Sequence, residues 1–180
     1  MKIAVKDASV LIDLLEAGLL GSWFKLGIET HVPDLVLAEI AQPQQRPVVE
    51  GFVSAGLLNV AVIENGDLKH LAALANLSRE LKVSIPDASA VHLAETLGEA
   101  FLLTSDGTLR LGAERRGLEV RGLLWVLDLL VWHDVLSCAD ALSALATVLD
   151  ANSRQPLHEC HRRQESWAIG RKIKPRELLL

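Results

Sequence analysis

Short apolar runs alternate along this chain with longer stretches in which apolar residues return every three or four positions. Lys2 to Lys6 alternates and ends at Asp7, the pattern of a short buried strand. Val10, Leu11, Leu14, Leu15 and Leu19 then follow helical spacing, with Ser9 placed to cap them and Gly18 and Gly21 to end them. A short helix is expected around Ser22 to Leu26, and a second strand at Glu29 to Val32. Pro33 and Asp34 are start signals for a helix from about Leu35 to Ala41, which carries Glu39. The Gln-Pro run Gln42 to Pro47 is a break, and a helix follows over Val48 to Ala55. Asn59 to Ile63, between Gly56 and Gly66, reads as a strand. Asp67 to Leu81 puts Leu68, Leu71, Leu74, Ala75, Leu77 and Leu81 on one face, a helix. Ser84-Ile85-Pro86-Asp87 opens the next helix, which Gly98 ends. Ala100 to Leu103 is a wholly apolar strand. Thr104 to Gly107 is a strand-to-helix turn, the helix runs to Arg116, and Glu119 to Arg121 is a last short strand.

Strands that alternate with helices pair in parallel and are covered on both faces. The expected fold is therefore α/β, a three-layer α/β/α sandwich around a mainly parallel sheet. After Gly122 the rhythm changes. Leu123 to His133 and Cys138 to Leu149 read as a helical hairpin, and a weaker helix follows from Leu157 to Trp167. From Gly170 the chain is basic and is expected to be mobile.

At 180 residues with 50% hydrophobic content, the chain can bury the core of one domain. Its positive mean hydropathy suggests an apolar surface beyond the core, for a subunit or a partner. The longest apolar stretch, Gly122 to Trp132, is broken by Asp128 and too short to span a bilayer. KIAVKD at the start lacks a signal-peptide pattern. Cys138 and Cys160 form no metal or redox motif, and read as reduced. A cytoplasmic protein is expected. The net charge of −5 is uneven: from Arg154 onward seven Lys and Arg stand against three Asp and Glu, leaving eleven against twenty before it. An acidic body argues against a broad nucleic-acid platform, but clustered carboxylates at a metal site would themselves supply negative charge.

Ligands of an open parallel sheet bind beyond the carboxyl ends of its strands. Asp7 ends the first strand and Asp106 follows the apolar one, so both should face one crevice. Glu39 and Asp87 begin at helices on that same edge. Carboxylates crowded in a crevice stay ionised only if a cation neutralises them. Oxygen-only ligands suit magnesium or manganese, which can activate water and offset charge on a phosphodiester.

The segments KIAVKDASVLIDLL, VPDLVLAEI, SIPDASAVHLAE and FLLTSDGTLRLGAERRGLEV resemble the PIN-domain family, in the family's order and over most of residues 1–121. The resemblance implies a Rossmann-like sandwich and a Mg²⁺- or Mn²⁺-dependent endoribonuclease. Carried over, its acidic quartet is Asp7, Glu39, Asp87 and Asp106. Ser9 and Ser105 match the small hydroxyl positions that orient ligands and water. Many members are VapC-like toxins held by an antitoxin, and the family together with the hydropathy suggests a homodimer. On this reading residues 1–122 are the catalytic part, 123–169 a helical extension packed on the same domain, and 170–180 the basic tail. Ala8 and Gly107 depart from the family's usual neighbours of the first and last Asp, but neither removes a carboxylate.

Each acid also has an ordinary role. Asp106 can cap a helix, Asp87 can favour a helix dipole, and Glu39 alone is a surface residue. Asp7 has fewer such roles, because an unpartnered charge at a buried strand end costs energy. Asp13, Asp34 and Asp128 read as a helix position, a cap and an exposed or paired acid. His92 reads as structural, the His158, Cys160, His161 group lacks a second zinc pair, and Trp125 and Trp132 read as packing. Arg110, one turn beyond Asp106, is the candidate phosphate ligand, while Lys6 should point to the face opposite Asp7. The competing function is a non-catalytic PIN-like module that binds RNA or protein. An Asp-dependent phosphotransferase ranks below both, since Ser9 stands where a haloacid-dehalogenase-like enzyme needs an acid, and no receiver-type acidic pair or late Lys is evident.

Overall fold

The computed structural model describes residues 3–40, 42–62, 68–151 and 155–176. Five strands form one parallel sheet: β1 (Ile3–Lys6), β2 (Thr30–Pro33), β3 (Asn59–Ala61), β4 (Ala100–Leu103) and β5 (Glu119–Arg121), in the order β3-β2-β1-β4-β5. Ala4 stands opposite Thr30 on one side and Phe101 on the other. A parallel sheet must be covered on both faces, and β4 is buried at every position, which is why AFLL shows no alternation.

One helical layer is α6 (Ile85–Leu97), laid across β4, β1 and β2, with α5 (Leu68–Leu81) beside it and α7 (Gly107–Arg115) against α5. The opposite layer holds α1 (Ala8–Glu16), α2 (Leu20–Phe24), α8 (Leu123–Trp132) and α9 (Cys138–Ala151), which pack on one another. α10 (Leu157–Ala168) lies on α9, α3 (Asp34–Leu37) joins β2 and α6, and α4 (Arg46–Ser54) meets α2 through the Phe24–Phe52 ring contact at 4.8 Å. The chain leaves β1 toward β2 and β3, then returns across the sheet to β4, so the direction of winding switches between β1 and β4. That junction is where such sheets open a crevice.

The structure departs from the sequence reading in several places. α3 ends at Leu37, so Glu39 stands in a turn rather than on a helix. Glu39 N and Ile40 N donate to carbonyls three residues back, which tightens the turn as Ile40 enters the core. Ala41 lies outside the described residues. α4 starts at Arg46, two residues earlier than the Val48 start expected. The expected ends at Lys2, Ile63 and Asp67 also lie outside the described residues, as do Arg154 and 177–180. The basic tail makes contacts with the body as far as Arg176. Arg171 N donates to Ser166 O, Lys172 pairs with Asp134 at 2.6 Å, and Trp125 Nε1 donates to Arg176 O at 2.8 Å. Among the described residues, no helix is long and apolar enough to cross a membrane.

Candidate functional site

Asp7 leaves the end of β1 buried, at 2% exposure, and caps α1. Its Oδ1 accepts from Ser9 N at 3.3 Å. Its Oδ2 accepts from Ser9 Oγ at 2.7 Å and from Thr104 Oγ1 at 2.5 Å. The neighbouring strand end is stitched to this one: Asp7 N donates to Leu103 O, and Ser105 N donates to Ser9 Oγ at 2.8 Å. Burial raises the Asp7 carboxyl above the usual carboxylate range, the hydroxyl donors of Thr104 and Ser9 pull it back, and the charge of Asp87 adds to the rise.

Asp106 caps α7, its Oδ1 accepting from Leu109 N at 2.8 Å, while Asp106 N donates to Thr104 Oγ1 at 3.0 Å. The Thr104 hydroxyl thus lies between the Asp7 carboxylate and the Asp106 backbone. Asp87 sits in the first turn of α6 in a capping box with Ser84: each accepts from the other's backbone N–H at 3.1 Å. Glu39 is exposed on its turn, yet its carboxyl is also raised, by partial desolvation and then by the charges of Asp87 and Asp7. Asp7, Glu39 and Asp87, from three distant stretches of chain, therefore share one electrostatic field. The helix-capping roles expected of Asp87 and Asp106 are also real.

The arrangement stops short of a closed ligand cage. Among the described residues, no three Asp, Glu, His or Cys side chains are grouped closely enough to hold a metal ion. The chemistry of the donor set is nonetheless oxygen-only, which suits a hard cation, and the mutual repulsion of the three acids is what a cation would relieve.

Ser9 and Ser105 lie beside Asp7 and Asp106, but the cap of α1 expected at Ser9 is Asp7. Ser105 Oγ, however, donates to Asp13 Oδ2 at 3.1 Å, and Gln155 Nε2 donates to the same oxygen at 3.2 Å. Asp13, read from the sequence as an ordinary helix position, is buried at 4% exposure. Its spacing of four from Ser9 was a usable signal, since both fall on one helix face. Thr104 lies in the strand-to-helix turn, and its hydroxyl, just beyond a buried strand, satisfies the strand-end acid Asp7. Gln155 carries no sequence signal, being 142 residues from Asp13.

Arg110 is half-buried and its guanidinium is occupied: it donates to Thr104 O at 3.0 Å and Val120 O at 3.4 Å, with Glu114 at 3.7 Å. Burial lowers its pKa. A side chain at Gly122 would approach Arg110 Nη2 to 2.9 Å, so glycine there gives the guanidinium its path to Thr104 O. Lys6 is fully buried, with its amine 4.0 Å from the centre of the Trp23 ring, and burial holds its pKa well below the usual lysine value. His92 meets His70 edge-on at 4.6 Å. Trp125 packs on Phe101 at 5.7 Å, whereas Trp132 is 41% exposed.

The family model described as a PIN domain, DUF3368, matches residues 3–163. Among solved structures the chain is similar to the crystal structure of PAE2754 from Pyrobaculum aerophilum, at 18% identity and a TM-score of 0.49, covering 72% of this chain and 96% of that one. No curated protein matches the chain.

Proposed function

The chain belongs to the PIN-domain family, whose members are generally nucleases, and from that premise we propose a Mg²⁺- or Mn²⁺-dependent endoribonuclease. The observation that carries the proposal is Asp7, buried at the end of β1 with its Oδ2 held by Ser9 and Thr104. Burial first, and the charge of Asp87 after it, raise the carboxyls of both Asp7 and Glu39. A buried acid held in place and facing other carboxylates suits a site for a cation.

In this reading Asp7, Glu39, Asp87 and Asp106 would hold the ion. When bound, the ion would offset charge on the carboxylates and on the phosphodiester, and would ease deprotonation of an attacking water. Asp7 is the fixed member, because Ser9 and Thr104 orient its Oδ2. Ser105 is held against Asp13 and keeps the Asp106 turn in place. Glu39, on its exposed turn, would supply the solvent-facing carboxylate. Hydrolysis forms a new P–O bond from water and breaks the existing one, and the departing oxygen takes a proton.

The proposal extends to a toxin restrained by an antitoxin partner, acting as a homodimer in the cytoplasm. A small adjacent reading frame that encodes a DNA-binding segment would support this part. The second reading, a non-catalytic RNA- or protein-binding module, draws on Asp87 and Asp106, which each commit a carboxylate oxygen to a helix cap.

The experiment is cleavage of a defined single-stranded RNA with Mg²⁺ or Mn²⁺. Asp7→Asn and Asp87→Asn should each lower the rate by about a hundredfold or more, the scale of losing a positioned charge in a catalytic site. Equal cleavage by the double variant would trace the activity to a contaminant. Absence of binding at millimolar metal, read by calorimetry, would favour the module.

A further inference from the structure

A cleft of about 660 Å³ opens beside the acidic edge, between the turn that leads into α7, the end of β5, α8, α10 and the extended segment 171–176. Its walls carry Arg110, Arg121, Arg162, Arg163, Lys174 and Arg176. These are six of the 18 Lys and Arg in a chain of net charge −5, so positive charge is concentrated here on an acidic body. Two carboxylates line the same cleft, and both are already paired with its arginines. Asp128 binds Arg163 at 2.5 Å, and Glu159 lies 3.0 Å from Arg162 and 2.8 Å from Arg163.

The cleft runs into the site already described. Ser105 and Gly107, the residues on either side of Asp106, are part of its wall. The far wall is the C-terminal segment, which the Trp125–Arg176 hydrogen bond and the burial of Pro175 hold in place. The cations come from four separate elements and surround more space than a single phosphate fills. Polyanions are drawn to such clefts, because low-dielectric walls concentrate the field.

We propose that this cleft is the track for the RNA backbone on one side of the cut, with Arg162, Lys174 and Arg176 contacting its phosphates. The proposal rests on the nuclease reading for the identity of the strand. It gives the helical extension and the tail a function: they supply the cationic wall that the acidic sheet edge lacks.

The test is the affinity of the full chain for a short labelled single-stranded RNA, read by fluorescence anisotropy across a salt series in EDTA, where no metal-dependent cleavage occurs. Lys174→Glu/Arg176→Glu reverses two exposed cations of the cleft. Lys25→Glu/Arg115→Glu makes the same charge change at exposed positions on the edge where strands begin. The cleft variant should bind about tenfold more weakly at low salt, and its slope of log affinity against log salt should be shallower by about 1.4, the loss of two single-strand phosphate contacts. The control should change affinity by less than about twofold, being screened over the width of the molecule. Equal weakening by both pairs, or no RNA binding by the unaltered chain at low salt, overturns the track. Cleavage with metal is scored separately. If the cleft variant cleaves and binds as the unaltered chain does, the track is wrong and the nuclease reading stands. Cleft-dependent binding without cleavage keeps the cleft as an RNA-backbone site, and removes the nuclease and with it the place of the track beside a cut.

Discussion

Burial pushes the Asp7 carboxyl toward its protonated form, and the charge of Asp87 pushes the same way. Glu39 feels Asp87 as well. Asp87→Asn should therefore lower the titration midpoints of both Asp7 and Glu39, read by carboxyl-carbon NMR in metal-free protein; unmoved midpoints would separate the three acids. The sign for stability follows from proton uptake. With a raised folded pKa, Asp7 holds its proton in the native state where the unfolded chain has released it. Native stability should thus fall as pH climbs from about 4, the unfolded carboxylate range, through the raised folded value. Near neutral pH without metal, Asp7→Asn should melt higher than the parent, since it removes a buried charge while keeping an acceptor for Ser9 and Thr104. Asp7 and Asp106 are legible from strand-end positions alone, whereas Asp87 and especially Glu39 lean on the family resemblance. Thr104 and Gln155 are not legible, because a hydroxyl or an amide becomes informative only when its partner is known.

At the scale of elements, local signals placed most boundaries well. Ser84 and Asp87 form the capping box that SIPD announces, and Asp106 caps α7. α3 is one exception. Its start was legible in Pro33-Asp34, but burial of Ile40 stops it at Leu37, and burial is decided by contacts remote in sequence. Asp128 shows the same limit. It was read as exposed or paired, and the structure buries it on α8 against Arg163 of α10, at 4% and 8% side-chain exposure. Desolvation raises the Asp128 carboxyl, and the hydrogen bonds and charge of Arg163 oppose the rise. Asp128→Ala should cost about 3 kcal/mol, the lower end for breaking a buried pair, because Glu159 still meets Arg163 at 2.8 Å. Thermal unfolding should then fall by about 6–12 °C in a chain of this size. Replacing both partners, as Asp128→Leu/Arg163→Met, should recover most of that loss.

For the whole molecule, the extension cannot be treated as an appendage. Leu123, Val126, Leu127, Leu130 and Val131 of α8 are fully buried and belong to the same core as β1 and β4. Burial at about 1.5–3 kcal/mol per side chain makes their contribution on the order of 10 kcal/mol, comparable to the entire stability of a typical domain. A chain ended at Gly122 should therefore lack a cooperative thermal transition by circular dichroism; a sharp transition would show that 1–122 folds alone. The family match, which runs to residue 163, spans the same unit.

What the sequence determined by itself is the order of elements, the parallel α/β class and the family, because hydrophobic period, caps and strand-end acids are local properties. Even the −5 net charge was legible, together with the basic bias after Arg154. The tertiary structure alone decided that the basic segment folds back to wall a cleft beside Ser105 and Gly107, and that Asp13, Ser105 and Gln155 form one hydrogen-bonded set. It alone decided, too, that Asp7, Glu39 and Asp87 act on one another through space. The physical reason is common to these cases. Coulomb forces and hydrogen bonds depend on distances in space, and distances between residues far apart in the chain are fixed only when burial of the shared core closes the loops between them.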